Sequence, residues 1–251
     1  MSTSPAAASA QAVAPAKAVA LVPAAGLGSR FHDDGPKALV LLAGKPLLLH
    51  ALERLHASGR VAEAVVAMTP GYESAFRAAL ARAPLPCRLV PGGVRRRDSV
   101  ASALDASNVG EETLVLVHDA ARPLVDPLEV LAVVDAAAER GAAIAGFAMV
   151  NTVKRTKNGK VVETVPRHDL VSVTTPQVFR AGLLRKAYAM SPTADVTDDS
   201  ELVERAGGTV AVVLTSRWNL KITYPEDLAW AEAFLAGGPP SGAPRTAQAG
   251  S

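Results

Sequence analysis

AVALVPAAGLGSR, residues 18–30, is an apolar run without alternation that passes directly into a glycine-rich turn. Such a run is typical of a strand that is buried on both faces of a sheet. Similar runs recur at Val61–Met68, Leu114–Val117 and Ala142–Val150, and alanine- and leucine-rich stretches of helical character separate them. This alternation predicts an α/β fold with a mostly parallel sheet and helices on both faces. In such sheets, ligands bind at the carboxyl ends of the strands.

Composition limits the classes of protein to which the chain can belong. The 251 residues include 26 Lys and Arg against 24 Asp and Glu, a formal net charge of +2. This balance excludes a strongly basic nucleic-acid coat protein and an acidic disordered chain. The single cysteine, Cys87, excludes an internal disulfide framework and a cysteine-based zinc site, and it favours the cytoplasm. The apolar runs are far shorter than the roughly 20 residues of a membrane span, so we expect no membrane partner.

The two ends of the chain differ in composition from the rest. Residues 1–16 and 237–251 are rich in Ala, Pro, Gly and Ser, without an apolar periodicity, and they are predicted to be disordered tails. Residues 17–236 are predicted to form one domain.

The clearest helix in this domain is predicted at Pro127–Arg140. Gly141 is its expected stop, and Leu128, Leu131 and Val134 are expected on one side of it. Nearer the end of the chain, short strands are predicted at Val210–Leu214 and Lys221–Thr223, followed by a helix at Pro225–Ala236.

The segment Thr152–Val173 breaks the alternation of strands and helices. Asn158-Gly159 is a strong hairpin-turn signal between two flanks that favour strands. The flanks carry too many Lys and Arg side chains to lie in a core. We therefore predict an arm, residues 150–173, that projects from the domain. It is either a surface hairpin or an arm that reaches a partner subunit.

The glycine-rich turn is the first candidate site. Gly26 and Gly28 allow backbone N–H groups to approach a phosphate chain closely, and Arg30 and Lys37 add two cations. The motif is not a dinucleotide fingerprint, because Phe31 stands where a third glycine is required, and no Walker A sequence follows. The alternative is a tight strand-to-helix turn with two solvated cations.

A second candidate site follows the strand Leu114–Val117. Asp119 and Arg122 lie in the sequence HDAARP, residues 118–123. A carboxylate at the carboxyl end of a strand is well placed to hold Mg²⁺ beside phosphates. The alternative is that Asp119 caps a turn and pairs with Arg122. His118 is expected to be structural rather than catalytic.

A third candidate site is GGVRRRDSV, residues 92–100. Its glycines permit close approach of the backbone to a base or ribose, and Ser99 is either a ligand contact or a helix cap. For Arg95 and Arg97, function and simple solvation are equally favoured. The residues for which function is favoured are Gly92, Gly93, Arg96 and Ser99.

Two further segments carry weaker signals. Thr197 begins the sequence TDDS, which by itself is an ordinary helix start. Lys221 lies within a predicted strand near the end of the sheet, a position that suggests an anionic partner.

Together these pieces resemble one family, the 2-C-methyl-D-erythritol 4-phosphate cytidylyltransferases of the non-mevalonate isoprenoid pathway. The resemblance runs in order from Val19 to Leu235, and VHDAARP is its most telling motif. Asn151 and Ala103 are local departures, since the family commonly has Asp and Gly there. The matching motifs are PAAGLGSR with PKAL, GGVRRRDSV, LVHDAARP, NTVKRT, TTPQVF, VTDDSELVE and NLKITYPEDL.

The resemblance implies a Rossmann-like nucleotidyltransferase sandwich and a Mg²⁺-dependent homodimer, joined through the arm, that transfers a cytidylyl group from CTP to a polyol phosphate. It implies catalytic roles for Arg30, Lys37, Arg167 and Lys221. Asp119 is expected to hold the metal. The expected acceptor contacts are Arg122, Thr152, Arg167, Thr197 and Lys221, with Thr152 delivered across the dimer. The expected CTP contacts are Pro23, Ala24, Ala25, Gly26, Gly28, Ser29, Gly92, Gly93, Arg96, Ser99 and Ala120.

Three alternatives remain open from sequence. The first is a cytidylyltransferase for another polyol phosphate, such as ribitol 5-phosphate, whose motifs are much the same. The second is a non-catalytic nucleotide-binding regulator on the same scaffold, against which the presence of Arg30, Lys37 and Asp119 argues. The third is a nicotinamide-dependent dehydrogenase, which the missing third glycine disfavours.

Overall fold

The structure is a computed structural model that describes residues 16–28, 35–191, 193 and 195–237. Almost all of the two predicted tails therefore lies outside the described residues, and so do Ser29 and Arg30 of the glycine-rich turn. None of the helices in the described ranges has both the length and the apolar character needed to cross a membrane.

The described chain alternates between strands and helices. The strands are β1 (Ala18–Ala24), β2 (Leu41–Leu42), β3 (Lys45–Pro46), β4 (Val61–Met68), β5 (Cys87–Pro91), β6 (Leu114–Val117), β7 (Ala142–Ala148), β8 (Val153–Lys157), β9 (Lys160–Val165), β10 (Val171–Arg180) and β11 (Ala211–Leu214). The α-helices are α1 (Leu47–Ala57), α2 (Glu73–Leu80), α3 (Arg96–Ser107), α4 (Pro127–Arg140), α5 (Ala181–Met190), α6 (Asp199–Arg205) and α7 (Pro225–Gly237), and a short 3₁₀ helix spans Lys37–Leu39.

Seven strands form the central sheet in the order β11-β7-β10-β6-β1-β4-β5. All neighbouring strands in it are parallel except for β10, which runs antiparallel to both β6 and β7. The prediction of an α/β fold with a mostly parallel sheet is confirmed. Because β1, β4, β5 and β6 run in one direction, the loops that follow them meet at one edge of the sheet.

Helices cover both faces of this sheet, so β1 is buried on both sides. Ala20 and Val22 pack with α1, α2 and α4, whereas Val19 and Leu21 pack with α3, α5 and α6. α7 packs elsewhere, in a smaller cluster with Leu42, Leu47, Leu124 and Ile222. The absence of alternation in the sequence of β1 follows from this burial, since both faces require apolar side chains.

Three details correct or extend the sequence prediction. The hairpin turn at Asn158-Gly159 is confirmed, because both residues have a positive φ (51° and 74°) and join β8 to β9 as in a type I′ turn. The prediction of a strand at Lys221–Thr223 was wrong, since this segment has no regular secondary structure. β10 and α5 were not predicted.

The buried side of α4 also differs from the prediction. Of the predicted side, Val134 is buried but Leu128 is 50% exposed, and the other buried residues of the helix are Glu129, Val130, Val133 and Ala137. Asp126 caps the helix by accepting a hydrogen bond of 2.8 Å from the Leu128 N–H, which fixes the start of the helix and leaves Leu128 in its exposed first turn.

We expect Val134→Ala to lower the free energy of unfolding by about 2 kcal/mol, because it removes two methyl groups that are fully buried against the sheet. Leu128→Ala, on the same helix, is the matched control and should change stability by less than about 0.5 kcal/mol. Chemical denaturation of both variants measures the difference. Equal effects would contradict this assignment of the buried side of α4.

Candidate active site

A cleft of about 230 Å³ lies at the edge of the sheet where the loops after β1, β5 and β6 meet. It brings together residues that are nearly 200 positions apart in the chain, since Pro23 and Lys221 both line it. Of the predicted residues, it is lined by Pro23, Ala24, Ala25, Gly26, Lys37, Gly93, Arg96, Ser99, Asp119, Ala120 and Lys221.

The loop after β1 holds Lys37 at one wall of this cleft. The Lys37 N–H donates a 3.0 Å hydrogen bond to the Gly26 carbonyl. Gly28 has a φ of +61°, and a Cβ at that position would lie 2.9 Å from the Lys37 Cβ. Glycine is therefore required at position 28 both by the turn and by the packing of Lys37.

The loop between β5 and α3 forms the opposite wall. The Gly92 N–H donates to the Met68 carbonyl at 2.8 Å, and the Gly93 N–H donates to the Ser99 hydroxyl at 3.1 Å. A Cβ on Gly92 would lie 2.4 Å from the Ala25 Cβ, so this glycine allows the two loops to touch. Ser99 is not the helix cap; it fixes the backbone of the loop.

The three consecutive arginines of this loop point to three different places. Arg95 pairs with Asp98 at 2.8 Å in a capping box at the start of α3. Arg97 is buried, and its guanidinium lies 5.2 Å from the centre of the Tyr188 ring. Of the three, only Arg96 joins the acidic group at the centre of the site.

Asp119 is this central group, and three cations surround it. Its Oδ1 accepts a 2.8 Å hydrogen bond from Arg96 Nε, and its Oδ2 lies 2.9 Å from Lys221 Nζ and 3.8 Å from Arg122 Nε. Burial alone would raise the pKa of the Asp119 carboxyl, but Arg96, Lys221 and Arg122 hold it well below its ordinary value. The Asp119 carboxyl is therefore ionised at neutral pH.

A second carboxylate holds Arg96 from the other side. Arg96 Nη1 donates to Asp199 Oδ2 at 2.7 Å, and the Tyr188 hydroxyl donates to Asp199 Oδ1 at 2.6 Å. Gln177 Oε1 accepts from the Asp199 N–H at 3.1 Å. Burial, followed by the charge of Asp199, raises the pKa of Tyr188, so its hydroxyl stays protonated and can donate.

A second cleft, of about 190 Å³, adjoins the first. The two clefts share Arg96, Asp119 and Lys221 as lining residues. The second cleft also contains the predicted acceptor contacts Arg122 and Thr197. Its remaining lining residues are Val173, Thr174, Thr175, Gln177 and Asp198.

The segment that carries Lys221 is irregular but firmly held. The Asn219 side chain donates to the Thr175 carbonyl at 2.6 Å, and the Asn219 carbonyl accepts from Arg122 at 2.8 Å. Further back, the Ser216 N–H donates to Glu129 at 2.6 Å, and burial raises the pKa of that carboxyl. These bonds take the place of a strand in positioning Lys221.

Two predicted acceptor contacts lie away from both clefts. Thr152 and Arg167 are exposed on the arm around β8 and β9, and the Arg167 guanidinium donates to the Val150 carbonyl. Within the described part of one subunit, the structure therefore does not bring the arm to the site.

The comparisons with known proteins agree on one family. The model of the 2-C-methyl-D-erythritol 4-phosphate cytidylyltransferase family (IspD) matches residues 18–237. A relative of that name from Saccharopolyspora erythraea is 46% identical over 223 residues, which cover 87% of this chain and 99% of the relative. Another, from Rhodopirellula baltica, is 42% identical over 227 residues, with 86% and 93% covered. The chain belongs to the 2-C-methyl-D-erythritol 4-phosphate cytidylyltransferase family.

Solved structures support the same assignment. The 2-C-methyl-D-erythritol 4-phosphate cytidylyltransferase from Thermus thermophilus has a TM-score of 0.72 and 35% identity, and the alignment covers 88% of this chain and 99% of that one. The 4-diphosphocytidyl-2C-methyl-D-erythritol synthase from Anaerococcus prevotii has a TM-score of 0.77 and 26% identity, with the same coverage. The Rossmann-like cytidylyltransferase fold is therefore confirmed for this member of the family.

Sequence reasoning assigned no role to several polar residues of the site, although three of them lie in the quoted motifs TTPQVF and VTDDSELVE. Thr175, Gln177, Tyr188 and Asp199 all act through contacts that lie far apart in the chain, such as Tyr188 with Arg97 and Asp199 with Arg96. One signal was available, because Thr174-Thr175-Pro176-Gln177, directly before the apolar pair Val178-Phe179, is an unusual sequence for a buried strand.

His118 is buried and positions the loop that carries Asp119. Its Nε2 lies 3.1 Å from the Arg122 carbonyl, which can only accept, so Nε2 carries the proton. Burial favours the neutral imidazole, whose Nδ1 accepts from the Thr175 hydroxyl at 3.1 Å, and that hydroxyl accepts from the Asp119 N–H at 3.1 Å. These contacts all lie within the protein, as expected of a structural histidine.

Burial lowers the pKa of His118 from 6.5 to about 4. Between these two pH values the unfolded chain binds a proton that the folded protein does not bind, so stability falls as the pH falls. From this group alone we expect the free energy of unfolding to drop by about 2 kcal/mol between pH 7.5 and pH 5.

His118→Gln tests this expectation, because the amide cannot titrate but can still donate to the Arg122 carbonyl. Urea denaturation at the two pH values should show a smaller loss of stability on acidification in the variant than in the native chain. The same pH dependence in both proteins would show that His118 is not the titrating group.

Proposed function

We propose that the chain transfers a cytidylyl group from CTP to 2-C-methyl-D-erythritol 4-phosphate, giving 4-diphosphocytidyl-2-C-methyl-D-erythritol and pyrophosphate. The observation that carries the proposal is the pair of adjacent clefts that share Arg96, Asp119 and Lys221. One cleft is assigned to the nucleotide and the other to the acceptor. The family assignment favours this acceptor over other polyol phosphates.

The reaction needs no general base from the protein. The nucleophile is a phosphate monoester oxygen, and since its second pKa is about 6, it is already ionised at neutral pH. The barrier comes from bringing this anion to the α-phosphorus of a triphosphate, because like charges repel. Catalysis is therefore expected to depend on positioning and on positive charge, as in phosphoryl transfer generally.

The site supplies positive charge in both the nucleotide cleft and the acceptor cleft. Lys37 lines the nucleotide cleft, Arg122 lines the acceptor cleft, and Lys221 lines both. In the nucleotide cleft, Asp119 is the one acidic group among the described lining residues. Since it is already paired with cations, it does not cancel the attraction that Lys37 exerts on a polyphosphate.

We also propose that the reaction uses Mg²⁺. Among the described residues, no group of three or more His, Cys, Asp or Glu side chains is arranged to hold a metal ion. Mg²⁺ is, however, commonly bound by one or two carboxylates together with substrate phosphates. Asp119 is the carboxylate among the described lining residues of the nucleotide cleft that could serve in this way, through oxygen lone pairs beside those that face Arg96 and Lys221. When bound, Mg²⁺ would neutralise negative charge on the triphosphate.

The arm supports a further proposal, that the protein works as a homodimer whose arms cross between subunits. β8 and β9 form a two-stranded sheet of their own, with Val161 and Val162 exposed, and since an isolated hairpin is at best marginally stable in water, contact with another chain would support it. Crossing would bring Thr152 and Arg167 to the partner's acceptor cleft. We place this dimer in the cytoplasm, in keeping with the single free thiol of Cys87.

Lys37→Ala should lower kcat by on the order of 10²–10³ and change the KM for CTP much less, because Lys37 is expected to stabilise charge that develops in the transition state. Pyrophosphate release with CTP and 2-C-methyl-D-erythritol 4-phosphate measures both constants. Lys45→Ala is the matched control, since Lys45 pairs with Glu53 at 2.6 Å and lines neither cleft. A Lys37→Ala enzyme with a near-native kcat would refute this role.

The arm crossing predicts complementation between two impaired variants. In a heterodimer of Lys37→Ala and Arg167→Ala subunits, one of the two sites contains a native Lys37 and a native Arg167 from the partner's arm. Verified heterodimers should therefore recover about half of the native activity per dimer, although each homodimer is impaired. Heterodimers no more active than the homodimers would show that each arm serves its own subunit.

A further inference from the structure

The second cleft has an unusual lining. Of its ten described lining residues, nine are charged or polar, and Val173 is the one hydrophobic side chain. Single exposed hydrophobic residues are ordinary on a protein surface. An isolated apolar side chain inside an otherwise polar cleft instead indicates that the ligand presents an apolar group there.

The sheet explains why Val173 faces open space. Val173 is paired with Gly146 on β7, and the register then shifts so that Gln177 pairs with Ile144. Gly146 has no side chain to cover its neighbour, and a Cβ there would lie 2.5 Å from Val171 Cγ1. Val173 is thus left 38% exposed, directly before the register shift in β10.

The proposed acceptor has a matching distribution of groups. 2-C-methyl-D-erythritol 4-phosphate carries one phosphate, three hydroxyl groups and a single branch methyl on a four-carbon chain. Arg122 and Lys221 suit the phosphate, and Thr197 and Asp198 suit the hydroxyl groups. Val173 is left as the partner for the methyl group.

We propose that Val173 is a specificity-determining residue that packs against the branch methyl of the acceptor. This inference rests on the proposed function. It explains how a cleft whose other residues would accept many polyol phosphates distinguishes a methyl-branched acceptor from an unbranched one. Covering one methyl group is worth roughly a fourfold preference, and a close-fitting pocket gives tenfold or more.

The test compares two acceptors in each variant. The quantity measured is kcat/KM for 2-C-methyl-D-erythritol 4-phosphate divided by kcat/KM for erythritol 4-phosphate, which lacks only the methyl group. Val173→Thr keeps the shape and the β-branch of the side chain but replaces a methyl with a hydroxyl. The ratio should exceed one in the native enzyme and should fall by roughly fourfold to tenfold in the variant.

Val212→Thr on β11 is the matched control, because Val212 is also an exposed strand valine but lines neither cleft. It should keep the native ratio. Because the ratio does not depend on the fraction of active enzyme, partial misfolding does not affect it. If Val173→Thr does not fold, Val173→Ala should show the same direction of change.

The outcomes separate this inference from the proposed function. If neither acceptor gives pyrophosphate with the native enzyme and CTP, the proposed function itself fails. If the native enzyme turns over the methylated acceptor but the ratio is near one, or if the ratio is unchanged in the Val173 variants, only the role of Val173 is overturned.

Discussion

The buried carboxylate of Asp119 is the interaction on which the site depends. An ionised carboxylate is costly to bury unless it is paired and hydrogen-bonded. Here the compensation comes from Arg96 at the start of α3, Arg122 a few residues further along its own loop, and Lys221 in the segment before α7. One negative charge therefore draws two segments that are distant in sequence to the end of β6, and it fixes where the positive charges of Arg96, Arg122 and Lys221 lie.

This pairing has a consequence for the substrates. Without Asp119, the positive charges of Arg96, Arg122 and Lys221 would repel one another in the free protein. Asp119 holds these cations within about 4 Å of a common centre, while Asp199 and Tyr188 fix the far side of Arg96. The cations are thus already arranged when two polyanions arrive, and little reorganisation is required at the moment of reaction.

The sequence predicted the parts of this arrangement that local pattern determines. β1 and β6 were recognisable because strands buried on both faces need unbroken apolar runs, and β4 departs from this pattern only at Glu63. β10 was not, since Thr174, Thr175 and Gln177 make its first half polar, and they are polar because they line the acceptor cleft. The pairing of Tyr188 with Asp199, and the firm but irregular segment around Lys221, depend on tertiary contacts that no short window of sequence contains.

The reversed direction of β10 connects these observations. β7 runs parallel to β6, so it ends at the edge of the sheet where the clefts lie, and the arm of β8 and β9 leaves from that edge. The chain must then return from the same edge, which makes β10 antiparallel and places the residues before Gln177 beyond Val117, beside Asp119. A parallel strand would contribute only the loop that follows it. The antiparallel strand instead supplies Val173, Thr174 and Thr175 from the rigid sheet itself, so a single topological reversal both projects the arm and builds one wall of the acceptor cleft.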